Sequence, residues 1–221
     1  FRLAGHTNAK KVYLAGKFND WREKELLMNK TVDGWELPLY LAEGTHTYRF
    51  IADGQWFEDA SNPDRLPNEY GEYNSVIRLG KPHVFVLNGY KDAQKVWLTG
   101  SFNGWRKDEL LMNKTPDGWM LPYHIGAGNY EYRFVVDGKE MTDPDNPVFT
   151  ARNREDGNSW LVIGSNHTFC LKGYTNAKAV YLAAGFNGFS PDKLLMKKTE
   201  DGWECNVHLS IGKHLYKFVV D

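Results

Sequence analysis

The 221-residue chain carries 27 basic and 28 acidic side chains for a net charge of −1, and no basic block stands out. This argues against nucleic acid or an anionic membrane surface as a partner. No apolar run approaches the ~18 residues of a membrane-spanning helix, so no membrane span is expected. Aromatic residues make up 14%, with 8 Trp, and Trp serves both as core filling and as a flat platform for ligands.

Taken in chain order, the signals are those of strands. Val12 to Ala15 is β-rich and stops at Gly16. Arg22 to Met28 could form a helical turn, the one stretch with any helical character. Trp35, Leu37 and Leu39 alternate with Glu36, Pro38 and Tyr40, and His46, Tyr48, Phe50 and Ala52 alternate with Thr47, Arg49 and Ile51. Asp33-Gly34 and Asp53-Gly54 are hairpin dipeptides, because a type I′ turn needs positive φ. Asn74 to Leu79 reads as a closing strand.

The whole pattern then recurs at an offset of 84 residues. Phe18-Asn19-Asp20-Trp21 returns as Phe102-Asn103-Gly104-Trp105 and as Phe186-Asn187-Gly188-Phe189. Trp35, Trp119 and Trp203 stay in register, as do Tyr48-Arg49-Phe50, Tyr132-Arg133-Phe134 and Tyr216-Lys217-Phe218. The expected organisation is all-β: three tandem immunoglobulin-like β-sandwich domains over residues 1–80, 84–164 and 167–221, the third truncated at its C-terminus. The short linkers predict a semi-rigid string. The chain opens on Phe1 with no signal-like stretch, so any targeting segment is expected to lie outside it. The compartment stays open between periplasmic or extracellular and cytoplasmic. Cys170 and Cys205 could pair or remain as two buried free thiols.

Comparison between copies sorts the aromatics. Trp35 and its two equivalents begin the same strand in every copy and read as core, along with Tyr48 and Phe50. Trp56 aligns with Glu140; a core site would not accept an unpaired carboxylate, so Trp56 is expected to be exposed. Trp21 lies just past a strand end and is always a flat ring, either plugging the sandwich or facing a ligand. Arg49, Arg133 and Lys217 alternate with core residues, so they face outward as cations. Exposed rings beside hydrogen-bond donors suit a sugar, whose C–H face packs on the ring while its hydroxyls take the polar groups.

Gly16-Lys17-Phe18-Asn19-Asp20-Trp21, Tyr48-Arg49-Phe50, Asp53-Gly54-Gln55-Trp56 and Tyr73-Asn74-Ser75-Val76 resemble the glycogen-binding domain of the AMP-activated protein kinase β-subunit. That domain is a member of carbohydrate-binding module family 48, among the early-set immunoglobulin-like sandwiches. The resemblance implies an α-1,4-glucan (glycogen or starch) as partner, with Trp21 and Trp56 as platforms, Arg49 as basic donor and Asn74 as amide. It places Tyr70 where the family has an apolar side chain under the sugar chain and Glu72 where it has a hydroxyl residue. The second copy offers Trp105, Arg133 and Asn158 but has Glu140 for the second Trp, so weak or no binding is expected there. The third offers Phe189 and Lys217. A non-binding spacer array that positions a catalytic domain of the same parent chain is the alternative, and xylan is another possible polysaccharide.

No catalytic or metal-ligating constellation is present: no His-x-x-x-His, Cys-x-x-Cys, G-x-S-x-G or phosphate-binding glycine loop. Glu58-Asp59 and Asp143/Asp145 sit beside Pro63 and Pro144 and read as turn formers. His46 and His214 align with Tyr130, which marks a packing position for a ring. No enzyme activity, cofactor or metal is expected of this region. Asn29-Lys30-Thr31, Asn113-Lys114-Thr115 and Asn166-His167-Thr168 fit the glycosylation triplet.

Overall fold

The computed structural model describes residues 1–151 and 153–221, which form two compact units, Phe1–Pro82 and His83–Asp221. Regular structure is almost entirely β, with a short 3-10 turn such as Lys17–Asn19 after one strand of each repeat.

In the first repeat, Arg2–Ala4, Gly34–Glu36 and Asn29–Lys30 form a small antiparallel sheet. The larger sheet runs Leu26–Leu27, Val12–Gly16, Gly44–Ala52, Tyr73–Leu79, Arg65–Pro67, with Gln55–Phe57 folded back onto Gly44–Ala52. Alternation sends Val12, Leu14, Tyr48 and Phe50 inward against Leu3, Met28 and Trp35, which makes one apolar core. Equivalent cores form around Leu98 and Phe134 in the second repeat and around Leu182 and Trp203 in the third.

Two local devices explain why the repeat is so regular. Trp35, Trp119 and Trp203 each donate their indole N–H to a backbone carbonyl, of His6, Tyr90 and Tyr174, at 3.0 Å in all three copies. The ammonium of Lys30, Lys114 or Lys198 covers the ring at 5.4–5.5 Å, so each buried indole is satisfied at its edge and shielded on its face. At the hairpin, Asp53 (φ 48°) and Gly54 (φ 87°) both take the left-handed conformation that a type I′ turn requires. The Asp53 carboxylate then accepts the backbone N–H groups of Lys10 and Lys11, and Asp137 and Asp221 repeat this at Gln94/Lys95 and Lys178/Ala179.

Some details differ from the sequence reading. The strand expected to continue to Tyr40 stops at Glu36, where its pairing partner ends at Arg2, and Tyr40 is fully exposed. Arg22 to Met28 makes a turn over residues 23–25 only, and the short strand Leu26–Leu27 follows in place of any helix. Cys170 is exposed while Cys205 is buried; both are free, because Cys205 pairs with Phe169 in the ladder and so points to the opposite face from Cys170. Burial pushes the Cys205 thiol up to about 12. Asp59 and Asp143 do act as turn formers: each accepts a buried tyrosine hydroxyl, Tyr48 or Tyr132, and a backbone N–H of its own loop. His46, Tyr130 and His214 each bond the carbonyl four residues earlier, at 2.8–3.1 Å.

Within His83–Asp221 the second and third repeats are joined closely. Ala151 N–H donates to Lys193 O at 3.1 Å and Leu195 N–H to Phe149 O at 3.4 Å, which extends a ladder from one repeat to the next. Asn129 both donates to His208 O (2.7 Å) and accepts from His208 N–H (2.8 Å). Trp160, with Val148 and Val162, packs into the core of the third repeat. The first repeat has Asp64 and Arg78, ion-paired at 2.6 Å, where the second has Val148 and Val162, and Pro67 where the second has the Ala151 donor.

Candidate functional site

The outer face of the larger sheet in the first repeat gathers the notable side chains. Gly16 ends its strand, and the Phe18-Asn19-Asp20-Trp21 turn follows with Asp20 and Trp21 both left-handed (φ 52° and 59°). Asn19 pins this turn: its Oδ1 accepts Gly16 N–H at 3.0 Å and its Nδ2 donates to Arg22 O at 3.1 Å. Trp21 N–H reaches back to Gly16 O at 3.0 Å. A bulky residue at positive φ is strained, by roughly 1–3 kcal/mol, and such strain is concentrated at functional positions. The same conformation recurs at Trp105 (φ 63°) and Phe189 (φ 53°).

Trp56 lies opposite Ile51 in the hairpin, on the face away from the core, and its ring meets that of Trp21 at 6.3 Å between centroids and 43° between planes. Trp56 is half-buried, not fully exposed as expected, because it covers Ile51 (2% exposed) and abuts Trp21, itself half-buried. Neither ring plugs the interior; they form one tilted aromatic surface.

Arg49 lies on the same face, two residues before Ile51, and pairs with Ala15 across the ladder. It faces away from the core as expected, yet its side chain keeps only 12% exposure, since Glu72 comes over from the neighbouring hairpin to bind Nη1. Its Nε is buried and has no partner among the described residues. Glu72 therefore engages the cation. Asn68, unremarked in the sequence, organises that hairpin: its Oδ1 accepts Tyr70 and Glu72 N–H groups at 3.0 Å and its Nδ2 donates to Asn74 Oδ1 at 3.2 Å. Asn74 is mostly buried (8% exposed), while Tyr70 stands out at 80% exposure. The Glu69 carboxylate, hydrogen-bonded to the Tyr70 hydroxyl, raises its pKa above the ordinary tyrosine value.

In the second repeat the same positions form a polar knot. Trp105 is 36% exposed, and the position facing it is held by Glu140, which lies opposite Val135. Glu140 binds Lys107 and stands 3.6 Å from Arg133, so Lys107 first and Arg133 second hold its carboxyl below the usual range. Arg133 also donates to Glu155 O at 2.5 Å. Asn158 spends its amide on Glu131 at 2.6 Å. In the third repeat Phe189 (46% exposed) and the exposed Lys217 border an open groove with Pro191, Leu215 and Val219.

No group of His, Cys, Asp and Glu side chains suited to a metal occurs among the described residues, and no helix among them is long and apolar enough to cross a membrane. The geometry offers flat rings, a held cation and amides, which is the equipment of a binding face.

A family model described as the glycogen recognition site of AMP-activated protein kinase matches the chain twice, at residues 2–85 and 81–169. The chain belongs to this glycogen-recognition family. Among curated proteins, it is 32% identical over 125 residues to the 5'-AMP-activated protein kinase subunit beta-1 of Rattus norvegicus, covering 56% of this chain and 40% of that protein. The Sus scrofa beta-1 subunit is 37% identical over 81 residues (37% of this chain, 62% of that protein). The Mus musculus beta-2 subunit is 35% identical over 82 residues (37% and 30%). This chain thus spans about two-fifths of the length of the rat beta-1 subunit. Among solved structures, a maltogenic amylase from S. marinus aligns over 74% of this chain and 28% of that one, at 17% identity and a TM-score of 0.33, a likeness too weak to carry weight. The glycogen-recognition repeats are non-catalytic, all-β carbohydrate-binding modules.

Proposed function

We propose that the first repeat of this glycogen-recognition chain binds an α-1,4-glucan on the outer face of its larger sheet. The observation that carries this reading is the contact of Trp21 and Trp56 on the same face as Arg49. At 6.3 Å the rings leave no room for a sugar between them, so they act as one bent surface over which a curved glucan lies. Arg49 and Asn74 donate to hydroxyls, Glu72 holds the Arg49 guanidinium, and Tyr70 supplies a further apolar contact from the hairpin. Such a shallow site binds weakly, roughly in the micromolar to millimolar range.

Residues 1–80, 84–164 and 167–221 are read as three modules of unequal capacity. Trp105, Arg133 and Asn158 form a disabled face, because Glu140 replaces the platform. Phe189 and Lys217 keep a smaller ring and a cation beside a groove. The joined second and third repeats favour a spacer role for that unit, which would hold the glucan-binding repeat at a distance from a catalytic domain of the parent protein.

Native gels containing glycogen, amylopectin or xylan test this, together with tryptophan fluorescence during titration with maltoheptaose. Retardation by the α-glucans and its loss in Trp21→Ala/Trp56→Ala is the expected result. Retardation by xylan alone points to another polysaccharide. Retention of glucan binding in the double variant would displace the site.

A further inference from the structure

Glu140 is the evident defect of the second repeat, but a second carboxylate lies at the other end of the same face. The position held by Thr47 in the first repeat is Glu131 in the second. Glu131 Oε2 accepts the Asn158 amide at 2.6 Å and the Thr150 hydroxyl at 3.4 Å. Thr150 is itself buried and receives Asn158 N–H on its Oγ1 at 3.0 Å, so the carboxylate and the amide are held in one closed network. The first repeat has no such network. Asn74 is bonded through its Oδ1 by Asn68, and its Nδ2 protons have no partner among the described residues.

We propose that Glu131 is a specificity-determining residue that closes the second repeat to glucan independently of Glu140, by holding the Asn158 amide. The inference rests on the glucan-binding reading of the first repeat. A charge-assisted hydrogen bond is shorter and stronger than a neutral one, so a sugar hydroxyl competes poorly for this amide and would strand the carboxylate if it succeeded. Thr47 is too short and uncharged to do the same at Asn74. The two blocks take different recognition groups. Glu140 removes the platform and engages Arg133 and Lys107, while Glu131 engages the amide; relieving one leaves the other in place.

The test uses the full chain carrying Trp21→Ala and Trp56→Ala, which silences the first repeat so that the second is read as a gain over that background, while the unaltered chain measured alongside checks the glucan reading of the first repeat separately. Into this chain go Glu140→Trp alone and Glu140→Trp with Glu131→Thr, each measured by glycogen affinity gels and by fluorescence with maltoheptaose. Thermal unfolding checks that each variant is folded. The double change is expected to bind at least tenfold more tightly than Glu140→Trp alone. Equal affinity of the two, or no gain from the folded double change, overturns the proposal. Should Glu131→Thr fail to fold, Glu131→Gln keeps the shape and weakens the acceptor, and an intermediate gain over Glu140→Trp alone is expected. A purely structural clamp would lower the melting temperature and leave affinity unmoved, which counts against the proposal.

Discussion

The ring of Trp56 touches that of Trp21 at 6.3 Å although the two come from different loops, a left-handed turn and a hairpin strand. Each ring narrows the other's freedom, so the surface is formed before a ligand arrives and little ordering cost remains at binding. Trp56→Ala is therefore expected to weaken glucan binding more than tenfold, about 1.4 kcal/mol or more. Trp21→Ala should do at least as much, since it also removes the support of Trp56. Titration with maltoheptaose measures both, and an unchanged affinity in either variant would count against the aromatic surface as the binding element.

Glu72 predicts a different signature. Its carboxylate holds a guanidinium that is 12% exposed, but it is itself 56% exposed, so its contribution to folding is small, about 0.5–1 kcal/mol. Glu72→Gln is expected to lower the melting temperature slightly and to weaken glucan several-fold, because Arg49 loses its fixed orientation. Arg49→Lys should show a comparable loss, since an ammonium cannot hold the planar geometry. Calorimetry and the same titration separate the two effects.

The fold was readable because the repeat let each copy check the others: an indole N–H bonded to a carbonyl at one fixed position in all three copies leaves the same spacing three times over. The site was less so. Trp21, Trp56 and Arg49 were visible as residues out of step with a core pattern, yet their mutual contact depends on the left-handed turn at Asp20 and Trp21, which no periodicity encodes. Asn68 escaped notice because it acts through a hairpin of local hydrogen bonds, and Asn19 because it reads as part of a motif when its work is to pin that turn. The Glu131–Asn158 bond joins the strand Gly128–Val136 to the residue just before its partner Ser159–Ile163, and becomes visible once the register is known.

The acid behaviour follows from Asp53. Backbone N–H groups of Lys10 and then Lys11 hold its carboxyl below the ordinary 3.8. A depressed folded pKa contributes stability that is complete above the unfolded value and is lost as pH falls through the lowered folded one. Melting temperature should therefore drop as pH falls below about 4, and Asp53→Asn should flatten that arm of the profile in the Phe1–Pro82 unit.

The two thiols should separate cleanly in reactivity. Cys170 is exposed, whereas burial raises Cys205 to about 12 and keeps it as the thiol. At about pH 8 a disulfide reagent is expected to modify one thiol per chain rapidly and the second only after denaturation. Cys170→Ser should abolish the rapid phase, and its persistence would show that Cys205 is accessible.

Trp160 belongs by sequence to the second repeat but packs in the core of the third, against a cluster that includes Phe169, Val180 and Leu194. Removing it opens a cavity in that cluster, a change that costs about 3–5 kcal/mol for a buried Trp. Its indole N–H is buried and has no partner among the described residues, which offsets part of what Trp160 brings. Trp160→Phe, which deletes that donor and keeps a ring, should therefore cost much less than Trp160→Ala. The loss in Trp160→Ala should fall on the third repeat, seen as early loss of amide protection across Val180–Ala184 and Gly202–Val207 while the Phe1–Pro82 unit keeps its own. Protection lost evenly across the chain, or lost first in the first repeat, would contradict the shared core.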